Sequence, residues 1–166
     1  MKYTSALLLV IMVLTSFVSC KKEDRPEGLP DLYPISVKII QDGAPLANAN
    51  VTLLSSDPQL MRWPCGGCTD EQGVAKLNTY GFDGAPAGKF KVMVCKSETE
   101  GGAQTAEEAV QMMKDGVGSS EKTFDLIDPQ YKNDSTTPLS LEVLAQSENP
   151  TAEFDVGASV RSEVKL

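Results

Sequence analysis

Apolar and polar residues alternate along several short stretches of this chain, and a period of two predicts β-strands. Glycine, proline and aspartate lie between these stretches, as in Asp42-Gly43 and 84–88, and predict turns. Short strands separated in this way predict an all-β fold, an antiparallel β-sandwich. The predicted strands are 35–40, 49–54, 74–79, 90–94, 139–143 and 152–156.

One segment follows a helical period instead. Thr105 and Glu108 have the spacing of a capping box, in which the hydroxyl caps a first-turn N–H and the carboxylate reaches back. Gly116 is placed to end this helix. We therefore expect one short helix inserted in the sandwich and packed on it through one apolar face, which comprises Ala106, Ala109, Val110 and Met113.

The first twenty residues have the layout of an export signal. Lys2 precedes an unbroken apolar run from Ala6 to Leu14, which is far shorter than the ~20 residues of a membrane span. Phe17-Val18-Ser19-Cys20 follows and resembles the lipobox of bacterial lipoproteins, with Phe17 where leucine is commonest. The resemblance implies cleavage before Cys20 and acyl chains, palmitate among them, on its thiol and amino group.

A charged segment, Lys21 to Gly28, comes next and predicts a flexible tether. Lys22-Glu23-Asp24 also resembles a surface-export signal of some diderm lipoproteins; the alternative is a solvated linker. The expected organisation is a signal peptide at 1–19, the tether at 20–31, the sandwich at 32–157 and a C-terminal tail at 158–166.

Charge and composition narrow the functions further. The 166 residues include 15 Lys+Arg and 23 Asp+Glu, a net charge of −8. An acidic chain disfavours nucleic acid and anionic lipid as partners, so the acyl chains are the expected membrane attachment. There is no histidine, which removes the commonest general base and metal ligand. We expect no enzyme activity, no cofactor and no metal.

Three segments resemble the carboxypeptidase regulatory-like, transthyretin-like domains of exported lipoproteins. Gly43–Val51, Thr69–Gly73 and Gly84–Val92 correspond to the signatures G-x-P-L-x-x-A-x-V, T-D-x-x-G and P-x-G-x-Y/F-x-V, in the expected order. The resemblance implies a prealbumin-like sandwich over 32–156. It implies no particular activity, because such sandwiches serve many roles. A hydrolase with this fold depends on histidines, which this chain lacks.

Three cysteines remain besides Cys20, namely Cys65, Cys68 and Cys95, so at most one internal disulfide can form. The family's topology implies that Cys68 and Cys95 lie on either side of the Val51 strand. Next-but-one strands are roughly 9.5 Å apart, which exceeds the ~7 Å limit for Cα atoms in a disulfide, so only the flexible loop could close the gap. The open alternatives are Cys95 with Cys65 or Cys68, Cys65 with Cys68, and no bridge.

Cys65-Gly66-Gly67-Cys68 also has the C-x-x-C spacing of thiol-redox proteins. A redox thiol needs a helix N-terminus, whereas the sequence after Cys68 predicts a turn, so thiol-redox activity is the weaker alternative.

Trp63, the only tryptophan, lies in the loop predicted for 55–69 beside Arg62. It either binds a sugar or protein partner or covers the end of the core.

Tyr80 and Phe82 are expected to line an end of the sandwich, and with Arg62 and Trp63 they are the candidate ligand or partner residues. The expected function is a lipid-anchored, non-catalytic binding or scaffolding module of the bacterial envelope, in the outer membrane. Its expected partners are the membrane and a protein or glycan, but no nucleic acid. The alternative from a different class is a carbohydrate-binding accessory lipoprotein.

Overall fold

The computed structural model describes residues 25–101, 105–115 and 121–164. The predicted signal peptide, Cys20 and the predicted helix end at Gly116 lie outside these residues. No helix in the described part of the chain has both the length and the apolar character that a membrane span requires. The predicted all-β, sandwich-like fold with one short helix is confirmed.

The strands are short and follow one another closely. All described pairings are antiparallel except that of β14 with β2, which is parallel. In chain order the strands are β1 (Leu32–Tyr33), β2 (Ser36–Gln41), β3 (Ala44–Pro45), β4 (Asn50–Leu54), β5 (Cys65–Cys68), β6 (Val74–Lys76), β7 (Asn78–Thr79), β8 (Phe82–Asp83), β9 (Ala85–Pro86), β10 (Gly88–Cys95), β11 (Ser97–Glu100), β12 (Lys122–Asp125), β13 (Ser140–Val143), β14 (Ala152–Asp155) and β15 (Ser162–Glu163).

Two sheets enclose the core. The first has the order β13-β10-β4-β5-β7-β8, and the second has β14-β2-β3, with β6 also paired to β2. Alternate residues of the central strands are buried, as the period of two predicts. These inward side chains include Val37, Ile39, Val51, Leu53, Phe90, Val92 and Val94.

The predicted strand at 74–79 is in fact two strands in different sheets. β6 pairs with β2, whereas β7 pairs with β5 in the six-stranded sheet. The buried Leu77 lies between them: its N–H donates to the carbonyl of Ile35 at 3.2 Å, and its carbonyl accepts from Gly84 at 2.8 Å. The chain therefore crosses from one sheet to the other without an unpaired backbone group at this buried residue.

The predicted loop at 55–69 is shorter than expected, because Cys65–Cys68 forms β5. Its glycines carry no apolar period, which is why the sequence did not indicate a strand. They have a packing role instead. A Cβ on Gly67 would lie 2.5 Å from the carbonyl oxygen of Lys76 in β6, so only glycine allows the two sheets to approach this closely.

The ends of the described chain are more ordered than predicted. In the predicted tether, Leu29 is buried, and the guanidinium of Arg25 donates to the carbonyls of Leu29 and Pro30. In the predicted tail, β15 pairs with β12 and completes a small sheet of order β11-β12-β15. The predicted tether and tail thus each contain residues that are buried or paired with a strand. Short segments that pair with distant strands have no periodicity of their own, so the sequence did not indicate this.

The helix α1 (Ala106–Lys114) forms as predicted, and Thr105 and Glu108 make the reciprocal hydrogen bonds of a capping box. Its expected packing is wrong. Met113 is 82% exposed and Val110 is also exposed, so this apolar face does not join the core. The helix follows β11, all four residues of which are themselves exposed, and it therefore lies at the periphery of the fold.

The close approach at Gly67 has a measurable consequence. We expect Gly67→Ala to lower the free energy of unfolding by about 2–3 kcal/mol, because the new methyl group overlaps a backbone carbonyl. Gly43→Ala is the control: Gly43 has a φ of 75° but nothing within 4 Å of its Cβ position, so we expect a loss of about 1 kcal/mol from backbone strain alone. Urea denaturation measures both. Equal losses would show that the sheets have room at Gly67.

Candidate functional site

Three of the four candidate partner residues meet at one end of the sandwich. Trp63 lies just before β5 and Tyr80 just after β7, and the pairing of Cys65 with Thr79 brings the two aromatic residues together. Their ring centroids are 5.6 Å apart with an interplanar angle of 77°, an edge-to-face contact. The guanidinium of Arg62 lies over the Trp63 ring, 5.6 Å from its centroid. We call Arg62, Trp63 and Tyr80 the aromatic end.

Trp63 itself is covered. The residue is 8% exposed, and its backbone N–H donates to the carbonyl of Leu60 at 2.9 Å. The ring therefore has no open face on which a sugar could stack; the residues that border it are Arg62, Tyr80 and Gly28. Tyr80 is 60% exposed and presents the accessible aromatic surface here. Phe82 is half-buried, opposite Thr79 in the β7–β8 pair, and no ring contact joins it to the other two.

Tyr80 has an unusual backbone. Tyr80 and Gly81 connect β7 to β8 as a two-residue turn, with φ angles of 53° and 87°. Such hairpin turns favour asparagine or aspartate followed by glycine, because a bulky residue at positive φ is strained. The strained residue is thus Tyr80, whose ring is exposed at the tip of the hairpin. Residues with strained backbones cluster at functional sites.

The surface around the aromatic end has shallow clefts. One of about 290 Å³ is lined by Gly28, Pro58, Gln59, Arg62 and Trp63. A second of about 360 Å³ is lined by Leu54, Ser55, Ser56, Met61, Lys91 and Asp134. Both clefts are open to solvent, and their volumes are at the small end of the range for ligand pockets. They are therefore better suited to contact a large partner surface than to enclose a small molecule.

The described cysteines, Cys65, Cys68 and Cys95, are all free thiols. Cys68 and Cys95 both lie opposite Asn50, one on each side of β4, as the family resemblance implied. Two strand spacings, roughly 9.5 Å, separate them, so no disulfide can join them without moving β4. Cys65 and Cys68 are three residues apart in one strand and are about 10 Å apart along it. The disulfide suggested by the sequence is therefore absent among these residues.

The two C-x-x-C thiols have opposite environments. Cys65 is buried, and its thiol donates to the carbonyl of Gly84 at 3.7 Å; Cys68 is exposed. Burial raises the pKa of Cys65 to about 11, and a hydrogen bond with Thr79 opposes this shift. A redox-active thiol needs a lowered pKa and an accessible sulfur. Cys65 has neither property, and the pair lies in a strand rather than at a helix N-terminus.

No group of three or more potential protein ligands for a metal ion occurs among the described residues. No family model matches the chain, and comparisons with curated proteins and with solved structures also give no match.

Sequence reasoning missed two contributors to the aromatic end. Gly28 borders Trp63, because a Cβ at Gly28 would lie 4.0 Å from Cζ2 of that ring. Leu144, which follows Val143 of β13, is exposed at the same end, where Val143 pairs with Gly88. The sequence did contain a signal for the location of Gly28, because the next residue, Leu29, is a single apolar residue in a charged segment. Leu144 gave no signal, because its location depends on the register of β13.

The thiol environments predict an order of alkylation. In the folded protein we expect iodoacetamide to modify Cys68 first, Cys95 more slowly and Cys65 last. With a pKa of about 11 instead of 9.0, Cys65 has a thiolate fraction at pH 8 that is lower by about a hundredfold. Burial slows the reaction further. Peptide mass mapping over time measures the order, and in urea the three rates should converge. Early modification of Cys65 would contradict the buried position of its thiol.

The strain at Tyr80 can be separated from its ring contact. Tyr80→Asn and Tyr80→Ala both remove the ring, but asparagine tolerates positive φ and alanine does not. We therefore expect the asparagine variant to be more stable than the alanine variant by about 1 kcal/mol. Urea denaturation of both variants gives this difference. If the two variants are equally stable, the positive φ of Tyr80 imposes no strain.

Proposed function

We propose that this protein is a lipid-anchored, non-catalytic binding or scaffolding module of the bacterial envelope, attached through acyl chains on Cys20. The observation that carries the proposal is the short connection between the lipidation motif and the folded domain. Arg25, the fifth residue after Cys20, already hydrogen-bonds to the carbonyls of Leu29 and Pro30. Leu29, nine residues after Cys20, is already buried, so the link between the proposed anchor and the domain is short.

The positions of the two ends of the sandwich support a display role. The chain enters beside the aromatic end, whereas β10 runs from there to the opposite end and continues into β11. The small sheet and α1 follow from that opposite end. The exposed Val110 and Met113 belong to α1, in the segment between β11 and β12, and a partner protein could bind them there. Lys22-Glu23-Asp24 supports an outer-membrane, surface-displayed location.

The two alternatives have less support. A carbohydrate-binding protein stacks sugars on an open aromatic face, whereas Trp63 is covered and only Tyr80 is accessible. A thiol-redox protein needs a reactive C-x-x-C pair, whereas Cys65 is buried with a raised pKa. A display module requires neither an open Trp63 nor a reactive Cys65.

The anchor is tested by metabolic labelling with a clickable palmitate analogue. We expect the label on the wild-type protein and its loss in Cys20→Ala, which should also move from the membrane fraction to the soluble fraction. Cys68→Ala is the matched control, because it removes an exposed thiol in the domain and should keep the label. Equal labelling of wild type and Cys20→Ala would overturn the proposal.

A further inference from the structure

The chain that follows Cys20 joins the domain at the aromatic end. Gly28 borders both Trp63 and the cleft of about 290 Å³ beside it. From there the chain continues into β1, which pairs with β9. Only four residues separate Arg25 from Cys20, and even fully extended the five Cα–Cα steps span about 18 Å at most. An anchor at Cys20 therefore keeps this end of the sandwich close to the bilayer.

The exposed apolar side chains of the sandwich concentrate at the same end. Met61 is 53% exposed, Tyr80 is 60% exposed and Leu144 is also exposed. The other large apolar side chains that are exposed in the described residues, Val110 and Met113, belong to α1. The sandwich thus directs its accessible apolar surface toward the place where its lipid attachment begins.

The chemistry of this end suits a lipid headgroup layer. Tyrosine is favoured at membrane interfaces, where its apolar ring and its polar hydroxyl meet different surroundings, and Tyr80 is the exposed aromatic residue here. Arg25 lies 3.9 Å from Asp31, and Lys89 lies opposite Glu142 in the β10–β13 pair. Charges of both signs are therefore present at this end of the sandwich.

We propose that this end of the sandwich rests on the bilayer surface, with Met61, Tyr80 and Leu144 in contact with lipid headgroups. The inference rests on the proposed anchor at Cys20. The anchor supplies the membrane attachment, so the three side chains need only bias the orientation of a domain already held at high local concentration. The opposite end, with Cys68, Cys95 and the turn at 70–73, then points away from the membrane.

The orientation is measured by energy transfer from a dye on the protein to acceptor-labelled headgroups. The mature, acylated protein is reconstituted into phosphatidylcholine–phosphatidylethanolamine vesicles. In one sample the dye is on the exposed thiol of Cys68; in the other it is on Gln59→Cys in a Cys68→Ser background. Gln59 lines the cleft at the aromatic end. The two ends are about 24 Å apart, which is the length of β10. We expect strong transfer from position 59 and weak transfer from Cys68.

Equal transfer from the two positions, or stronger transfer from Cys68, would overturn the orientation. The contact is tested by a triple variant, Met61→Ser with Tyr80→Ser and Leu144→Ser. We expect transfer from position 59 to fall and transfer from Cys68 to rise, because the domain is no longer biased. The control is Val110→Ser with Met113→Ser, which changes the other exposed apolar surface and should alter neither signal. An unchanged triple variant would overturn the contact.

A failure of the proposed lipidation can be distinguished from a failure of the proposed orientation before energy transfer is measured. Intact-mass measurement reports whether Cys20 carries acyl chains, so an unacylated protein contradicts the proposed function before any transfer is recorded. Circular dichroism of each variant verifies the fold. Unacylated Cys20→Ser protein, mixed with the same vesicles, should give little transfer from either dye, because the acidic domain has no independent affinity for lipid.

Discussion

The close approach of β5 to β6 is the constraint on which the rest of the sandwich depends. Gly67 leaves no space for a side chain beside the carbonyl of Lys76, and the chain crosses between the sheets one residue later, at Leu77. This joins the two sheets along one edge. It also fixes the register of β5, which directs Cys65 inward and Cys68 outward and brings the Tyr80 hairpin beside Trp63. The arrangement of the aromatic end thus follows from a backbone contact between glycine and a carbonyl.

Sequence periodicity predicted the strands in which buried and exposed residues alternate. It failed where close backbone packing or contacts with distant segments determine the structure. β2, β4 and β10 lie close to their predicted bounds because each has one buried face. β5 was missed because its glycines have no hydrophobicity to alternate. The capping box located α1 correctly, since it is a local signal. The exposure of its apolar face was not predictable, because periodicity indicates that a face is apolar but not what covers it.

In the candidate site too, features that depend on neighbouring residues could be predicted, and those that depend on strands far apart in sequence could not. The aromatic and basic residues at 62, 63 and 80 could be selected from residue type and loop location, and the structure brings them into contact. The strain at Tyr80 could be suspected, since Tyr-Gly stands where a two-residue hairpin turn favours Asn-Gly. The contribution of Leu144 could not be predicted from the sequence, because it depends on which residue of β13 lies opposite Gly88. Separation in sequence, rather than weakness of the signal, limited the prediction.

The proposed orientation makes two hypotheses about partners mutually exclusive. If a short tether holds the aromatic end at the bilayer, Tyr80 is turned toward lipid and is not accessible to a glycan in the surrounding medium. A carbohydrate-binding role would require the reverse orientation. A link of only four residues between Cys20 and Arg25 would hinder that orientation, because it keeps the entry point near the membrane. The exposed face of α1 is then the apolar surface that a soluble partner can reach. If Cys20 carries the anchor, the length of this link therefore decides which end of the sandwich can bind a partner.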